Sequence, residues 1–207
     1  MKITKFEQSG FVLETDQGYK LAVDIGSYTP IEKLDGLSVD AVLVSHLHGD
    51  HFSLEHIKQL KPKKLFLNRE CLEIIGEENL DCEIIEIKTG DRFNIEDIQV
   101  TVFDVDHGPN TKVKPRENFG FLMTVDEQKL YFAGDMFYPS GLQVTDLEVQ
   151  YALIPVGTFY TFGPTEALEF IKQFKKIEMV VPMHYEKIEE TKTEFMFLAK
   201  NSGFNII

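Results

Sequence analysis

The chain has 207 residues, of which 43% are hydrophobic and 27% are charged, and its 17 Phe and 7 Tyr supply enough apolar surface for one sizeable core. This composition excludes a natively unfolded chain, because such chains combine low hydrophobicity with high net charge. The formal net charge of −13 repels polyanions, so a nucleic-acid partner is disfavoured.

Cysteine usage and hydropathy bear on the cellular compartment. The two cysteines, Cys71 and Cys82, are too few for a disulfide framework, which is typical of a reduced cytosol. Charged residues interrupt the apolar positions of the N-terminal segment, and no apolar run reaches about 18 residues. We therefore expect a cytoplasmic protein without a signal peptide and without a membrane partner.

The first half of the chain is predicted to begin with sheet and then to alternate strand and helix. Short β-type segments separated by Ser9-Gly10 and Gln17-Gly18 indicate an antiparallel meander, and Ser53 is a candidate helix cap. The predicted strands are 2–7, 10–15, 19–24, 39–44, 64–68 and 82–87, and the predicted helices are 53–60 and 69–75.

The second half repeats this order. Asp126-Glu127 has the character of a tight hairpin turn, and Pro164 lies in the first turn of an amphipathic segment. Thr191 and Glu194 have the spacing of a capping box for a last helix that ends near Gly203. The predicted strands are 98–106, 118–125, 128–133, 152–156 and 177–181, and the predicted helix before the last one is 164–174.

Two successive runs of meander followed by strand and helix units predict an α/β fold. The most economical packing is a four-layer αββα sandwich of two similar halves, with both sheets in the middle and the helices outside. No low-complexity linker interrupts the sequence, so we expect one domain over residues 1–207.

Three of the six histidines lie within six residues of one another, directly after the predicted strand 39–44, whose nearly continuous apolar residues indicate a buried strand. His46 and His48 alternate along the chain and can converge on one point, while Asp50 and His51 turn towards a neighbouring point. One loop can therefore start a site for two adjacent metal ions. A solvated polar loop is the alternative interpretation of the same residues.

Three further candidate ligands each follow a hydrophobic strand, at His107, Asp135 and His184. Strand ends at one edge of a sheet can assemble a metal site in space, and a carboxylate such as Asp135 can bridge two cations. Each of the three taken alone is also typical of a cap or turn residue. His56 is interpreted as a surface or packing residue, and Asp24 as a turn residue or one that supports the ligands.

These motifs resemble the metallo-β-lactamase superfamily. Its hallmark His-x-His-x-Asp-His stands here as His46-Leu47-His48-Gly49-Asp50-His51, followed in order by His107, Ala133-Gly134-Asp135 and His184. Similarity to the branch of small metal-dependent hydrolases that includes relatives of ascorbate-6-phosphate lactonase is carried by the later segments Leu153–Gly157, Phe162–Ala167 and Val181–Tyr185.

The resemblance implies a dinuclear centre and its ligands. The first metal ion would be bound by His46, His48 and His107, and the second by Asp50, His51 and His184, with Asp135 between them. The implied cofactors are two divalent metal ions, which we expect to be Zn²⁺. Mn²⁺ and Fe²⁺ stay open as alternatives, because imidazole and carboxylate ligands suit all three.

The resemblance also implies an activity. We expect a dinuclear metal-dependent hydrolase in which a metal-bridged hydroxide attacks a small ester, lactone or phosphoester, with Asp50 as the catalytic residue that orients the water or transfers its proton. The expected partner is a small-molecule substrate, and a homo-oligomer is left open. Two alternatives remain: a non-catalytic metal- or ligand-binding module with the same fold, and a nucleic-acid phosphodiesterase, which the charge disfavours.

Two other segments are candidates for substrate contacts. The aromatic residues of Phe137-Tyr138 and of residues 159–162 either wall a small pocket or pack in the core. Lys112, Lys114 and Arg116 form a basic loop that either receives a carboxylate or phosphate group or is simply solvated.

Overall fold

The computed structural model describes residues 1–108, 110–137, 144, 146–185 and 188–207. The chain divides into two compact units, one made of Met1–Lys88 with Pro115–Glu117 and the other of Thr89–Lys114 with Asn118–Ile207. Each unit contains one six-stranded sheet, and the described residues form four α-helices. The α/β class is confirmed, whereas the expectation of a single domain over residues 1–207 stays a prediction.

The sheet of the first unit changes from antiparallel to parallel along its strand order. Its strands are β1 (Lys2–Lys5), β2 (Phe11–Glu14), β3 (Lys20–Val23), β4 (Ala41–Leu43), β5 (Lys64–Leu67) and β6 (Glu83–Glu86), which lie side by side in this order. Strands β1 to β3 are antiparallel, as the meander predicted, and β3 to β6 are parallel. The parallel strands are connected by a short 3-10 helix (Ile31–Leu34), by α1 (Leu54–Leu60) and by α2 (Arg69–Ile75).

The core of the first unit lies between this sheet and its helices. Helix α1 contributes Ile57 and Leu60, and α2 contributes Cys71 and Ile75, so each helix packs one face through residues three or four apart. Burial, aided by the charge of nearby Asp24, raises the pKa of the Cys71 thiol. Cys71 is therefore a protonated packing residue rather than a reactive thiolate.

The sheet of the second unit follows the same plan. Its strands are β7 (Arg92–Ile95), β8 (Ile98–Asp104), β9 (Phe119–Val125), β10 (Gln128–Phe132), β11 (Glu148–Pro155) and β12 (Lys176–Met183). Strands β7 to β10 are antiparallel, and β10 to β12 are parallel. Helix α3 (Pro164–Ile171) connects β11 to β12, and α4 (Glu189–Asn201) follows β12.

Local sequence chemistry explains several elements of the second unit. Asp126 and Glu127 have φ values of 47° and 63°, which is the two-residue hairpin turn predicted between β9 and β10. Phe121 and Phe132 stack across these strands with ring centroids 5.9 Å apart.

None of the described helices combines the length and apolar character that crossing a membrane requires.

Two helix predictions are corrected. The capping box predicted at Thr191 and Glu194 is wrong, because α4 begins at Glu189 with Ile188 at its N-cap. The hydroxyl of Thr191 instead donates a hydrogen bond of 2.8 Å to the carbonyl of Ile188. The predicted helix 164–174 is three residues longer than the helix in the structure, because α3 ends at Ile171 and the chain continues in tight turns.

Strand β7 was not predicted from the sequence, and the predicted helix cap Ser53 contacts a side chain instead of the helix backbone. Strand β7 escapes the hydrophobic pattern because Arg92 and Asn94 are exposed and only Ile95 is fully buried. Ser53 occupies the N-cap of α1 as predicted, but its hydroxyl lies 2.9 Å from Nδ1 of His56 and makes no hydrogen bond to the helix backbone.

Candidate metal centre

The loop after β4 carries four of the seven candidate ligands. His46 and His51 are buried, and His48 and Asp50 are half-buried. Nε2 of His46 lies 3.0 Å from Nδ1 of His48, and the ring centroids of His46 and His51 are 4.1 Å apart. The first unit therefore gathers three imidazoles in one place, which argues against a solvated polar loop.

Asp24, the residue after β3, supports this loop. Strands β3 and β4 are parallel neighbours, so Asp24 and Ser45 leave the sheet at the same edge. The fully buried Asp24 carboxylate accepts hydrogen bonds from the backbone N–H of Ser45 at 2.7 Å and from its hydroxyl at 2.5 Å.

The same carboxylate orients two imidazoles. An oxygen of Asp24 lies 2.7 Å from Nδ1 of His51, and the hydroxyl of Ser45 lies 2.9 Å from Nδ1 of His46. A carboxylate behind a histidine fixes the tautomer and ring orientation that a metal ligand needs. The interpretation of Asp24 as a residue that supports the ligands agrees with these contacts.

Gln8 contacts Asp50 from the turn between β1 and β2. The buried side-chain amide of Gln8 donates a hydrogen bond of 3.3 Å to Oδ2 of Asp50, and the same oxygen lies 3.7 Å from Nε2 of His51. The sequence alone does not reveal this role of Gln8, because a single glutamine in a predicted turn carries no distinguishing pattern.

The second unit brings its three candidate ligands to one edge of its sheet. Strands β8, β10 and β12 run in the same direction, so the residues that follow them leave the sheet on the same side. Oδ2 of Asp135 lies 3.1 Å from Nε2 of His184 and 3.6 Å from Nε2 of His107. All three side chains are buried.

Asn118 is a second residue whose role could not be predicted from the sequence. Its buried side-chain amide donates hydrogen bonds to the backbone carbonyls of Asp135 at 3.1 Å and Val105 at 3.2 Å. These bonds connect the segment that carries Asp135 to the segment that leads to His107. In the sequence, Asn118 is only the first residue of the predicted strand 118–125, which does not indicate these bonds.

Gly157 allows the loop after β11 to approach His184. A Cβ atom on Gly157 would lie 2.0 Å from the carbonyl oxygen of His184 and 3.0 Å from its Nδ1, so no side chain fits there. His184 itself has a φ of 60°, in the left-handed region that non-glycine residues seldom adopt. Such constrained backbone is common at functional sites.

The donor atoms of each unit suit a divalent cation. Imidazole nitrogens and carboxylate oxygens are ligands of Zn²⁺, Mn²⁺ and Fe²⁺. The separations of 3.0 Å between His46 and His48 and of 3.1 Å between Asp135 and His184 are short enough for each pair to bind one cation at about 2.0–2.1 Å. The residues present therefore fit a bound metal ion.

His56 is a packing residue. It is buried, with Nδ1 2.9 Å from the hydroxyl of Ser53 and Nε2 2.8 Å from the carbonyl oxygen of Thr29. Both ring nitrogens thus have protein partners outside the candidate ligands.

The basic and aromatic segments, which were candidates for substrate contacts, each contain both exposed residues and residues with protein partners. Arg116 forms ion pairs with Glu70 at 3.0 Å and Glu73 at 2.7 Å, whereas Lys112 and Lys114 are exposed. Among the aromatic residues, Phe162 is buried against Phe170, and Phe159 and Tyr160 are exposed. Tyr138 lies outside the described residues.

Comparison with known proteins identifies the family. The model of the beta-lactamase superfamily domain matches residues 2–184, so the chain belongs to the beta-lactamase superfamily. Within it, the chain is 30% identical over 197 residues to a UPF0173 metal-dependent hydrolase from Desulforamulus reducens, with 89% of this chain and 84% of that relative covered.

Solved structures share the fold. The metallo hydrolase Igni18 from Ignicoccus hospitalis is 24% identical with a TM-score of 0.79, covering 99% of this chain and 93% of that one. The metallo-beta-lactamase fold protein YhfI from Bacillus subtilis is 17% identical with a TM-score of 0.70, covering 97% of this chain and 88% of that one.

Proposed function

We propose that this protein is a metal-dependent hydrolase of small ester, lactone or phosphoester substrates. The proposed ligands of its two metal ions, for which Zn²⁺ is the proposed identity, are His46, His48, Asp50, His51, His107, Asp135 and His184. The observation that carries the proposal is the close pairing of donor atoms in each unit, His46 with the half-buried His48 at 3.0 Å and the buried Asp135 with the buried His184 at 3.1 Å. Membership of the beta-lactamase superfamily and the hydrolase description of its relatives support it.

The proposed ligands divide between two cations. His46, His48 and His107 are proposed for the first ion, and Asp50, His51 and His184 for the second, with Asp135 shared. When bound, divalent cations supply Lewis acidity and lower the pKa of a water molecule towards neutrality.

Asp50 is the proposed catalytic residue. Its carboxylate is half-buried, and the amide of Gln8 holds Oδ2 at 3.3 Å. A carboxylate held in this way can orient the attacking water and move its proton to the leaving group. Asp24 keeps His51 oriented while this happens, because it contacts the ring nitrogen of His51 on the side away from Nε2.

The test combines metal removal with a substrate panel. The purified protein is stripped with a chelator, reloaded with Zn²⁺, Mn²⁺ or Fe²⁺, and assayed on nitrophenyl esters, lactones and phosphodiesters, with metal content measured by elemental analysis. We expect two ions per chain in the wild type and hydrolysis that is lost on stripping and restored on reloading. His51→Ala should lower both metal content and turnover, whereas His56→Gln, a buried imidazole outside the ligand set, should keep both.

Three other results would contradict the proposed function. Two bound ions without turnover on any substrate class would support a non-catalytic binding module instead. Turnover that survives complete stripping would overturn metal dependence, and turnover confined to the phosphodiesters would favour the nucleic-acid phosphodiesterase instead.

A further inference from the structure

The loop after β11 exposes two adjacent aromatic rings. Phe159 is 57% exposed and Tyr160 is 44% exposed, and their rings form an edge-to-face pair with centroids 4.7 Å apart. Phe162, on the same loop, is fully buried. Two neighbouring apolar rings left in water are a common feature of binding surfaces.

The backbone of this loop is held in an unfavourable conformation. Thr158 and Phe159 have φ values of 55° and 56°, in the left-handed region that β-branched and bulky residues avoid. The carbonyl of Phe162 accepts a hydrogen bond of 2.8 Å from the N–H of Thr158, and the amide of Asn110 donates one of 2.6 Å to the carbonyl of Phe159. The fold therefore fixes the outward position of the rings at a conformational cost.

The loop that carries the aromatic pair approaches the candidate ligands of the second unit through its backbone. Gly157, near the start of this loop, packs against the backbone of His184. Gly108 follows His107, and a Cβ atom on Gly108 would lie 2.3 Å from the carbonyl oxygen of Tyr160. Two close backbone contacts thus place the loop beside two of the candidate metal ligands.

We propose that Phe159 and Tyr160 bind an apolar alkyl or aryl group of the substrate, so that the enzyme prefers substrates with a larger apolar group. The inference rests on the proposed function, because it assumes that the scissile bond lies at the His107, Asp135 and His184 cluster. An apolar group that covers the two rings removes apolar surface of both partners from water, and binding strengthens with the buried area.

The binding test uses the absence of tryptophan from this chain. Phe159→Trp introduces a single tryptophan in the aromatic pair, and Phe197→Trp places one at an exposed phenylalanine of α4 as the matched control. The Zn²⁺-loaded variants are titrated with acetate, butyrate and hexanoate while tryptophan emission is recorded. We expect a blue shift for Phe159→Trp whose Kd falls about two- to fourfold per added methylene, and no shift for Phe197→Trp.

A kinetic comparison tests the same surface with substrates. The ratio of kcat/KM for a nitrophenyl hexanoate over a nitrophenyl acetate is measured for the wild type, for Phe159→Ala/Tyr160→Ala and for Phe197→Ala. We expect the ratio to fall at least about fivefold in the double variant, mainly through KM, and to be unchanged in Phe197→Ala. A circular dichroism spectrum and a melting curve show that each variant is folded.

The outcomes separate this inference from the proposed function. Chain-length-dependent emission shifts in the Phe159→Trp variant, without hydrolysis of any ester, lactone or phosphodiester by the wild type, would keep the aromatic surface and overturn the hydrolase. Hydrolysis with no dependence on chain length, and no emission shift, would overturn the aromatic surface and keep the hydrolase. A wild-type dimer that the double variant converts to a monomer would assign the two rings to a contact between copies of the chain and overturn the substrate role.

Discussion

The carboxylate of Asp24 lies 2.7 Å from Nδ1 of His51, and both side chains are buried. Asp24 also accepts two hydrogen bonds from Ser45, whose hydroxyl contacts the ring of His46. A single carboxylate at the end of β3 therefore controls the orientation of two candidate ligands that lie on the loop after β4. The loop motif provides the ligands, and the neighbouring strand provides their support.

Asp24→Asn tests this relationship. The amide replaces one accepting oxygen with a donor, so it cannot accept all the hydrogen bonds that Ser45 and His51 offer. We expect Zn²⁺ affinity to fall about 10- to 100-fold and the free energy of unfolding to fall by about 1–3 kcal/mol. Competition with a chromophoric chelator measures the affinity, and Glu32→Gln, an exposed carboxylate of the first unit, controls for the loss of one charge. Unchanged Zn²⁺ affinity in a folded Asp24→Asn protein would contradict the supporting role.

Gly157→Ala tests the close approach to His184. A Cβ atom 2.0 Å from the carbonyl oxygen of His184 cannot be accommodated without moving the backbone that carries this candidate ligand. We expect a loss of at least about 2 kcal/mol in the free energy of unfolding, together with weaker Zn²⁺ binding. Gly90→Ala is the control, because Gly90 has a φ of 88° and open space around it, so it should cost only about 1 kcal/mol. Equal effects of the two substitutions on stability would rule out the clash at His184.

Much of the fold could be predicted because its signals are local. Apolar runs and turn residues located eleven of the twelve strands in the described part of the chain, and α2 was predicted with the bounds that the structure shows, Arg69–Ile75. Strand β7 was missed because it is half exposed and its stability comes from pairing with β8. The wrong capping box at Thr191 has a similar origin, since a spacing of three residues does not say which residue begins the helix.

The candidate ligands were accessible from the sequence, but their supporting residues were not. Four ligand-type side chains in six residues form a pattern that a single chain can reveal. Gln8 and Asn118 act through contacts with residues that lie 42 and 17 positions away, respectively, and nothing near them in the sequence marks those contacts. Phe159 and Tyr160 are aromatic residues like those of a core segment, so the sequence does not show that their rings are exposed. Only the structure distinguishes them from the buried Phe162.

Glu70 organises the segment of residues 115–117 that packs in the first unit. Its carboxylate is largely buried and accepts hydrogen bonds from the backbone N–H groups of Arg116 at 2.6 Å and Glu117 at 2.9 Å, and from Nε of Arg116 at 3.0 Å. We expect Glu70→Gln to lower the free energy of unfolding by about 1–3 kcal/mol and to speed hydrogen exchange at the amides of Arg116 and Glu117.

The matched control for Glu70 is Glu73→Gln. Glu73 also pairs with Arg116, at 2.7 Å, but its side chain is half exposed, so its contribution should stay below about 1 kcal/mol. Chemical denaturation and exchange measured by NMR compare the two variants. An equal loss in both would mean that the charge of Arg116, and not the two backbone N–H groups, determines the effect of Glu70.

Asp40 gives the first unit a pH-dependent contribution to stability. Burial, the largest single influence, raises the pKa of Asp40, but the hydrogen bond from Nζ of Lys63 at 2.8 Å, the backbone N–H of Lys20 at 3.0 Å and the two lysine charges together lower it below 3.8. A carboxylate whose pKa is lower in the folded state stabilises the protein above its unfolded pKa, and this stabilisation is lost as the pH falls through the folded pKa.

Asp40→Asn should therefore be destabilising at neutral pH and less so in acid. Because the ion pair with Lys63 is largely solvated, we expect a difference of about 1 kcal/mol or less that is constant above about pH 5 and shrinks as the pH falls below 3.8. Urea denaturation of both proteins at pH 7, 5, 4 and 3 measures it. Asp35→Asn, whose carboxylate contacts the neutral amide of Gln59, controls for the loss of one negative charge. A difference between wild type and Asp40→Asn that grows towards low pH would reverse the sign of the inferred shift and exclude Lys63 and Lys20 as its cause.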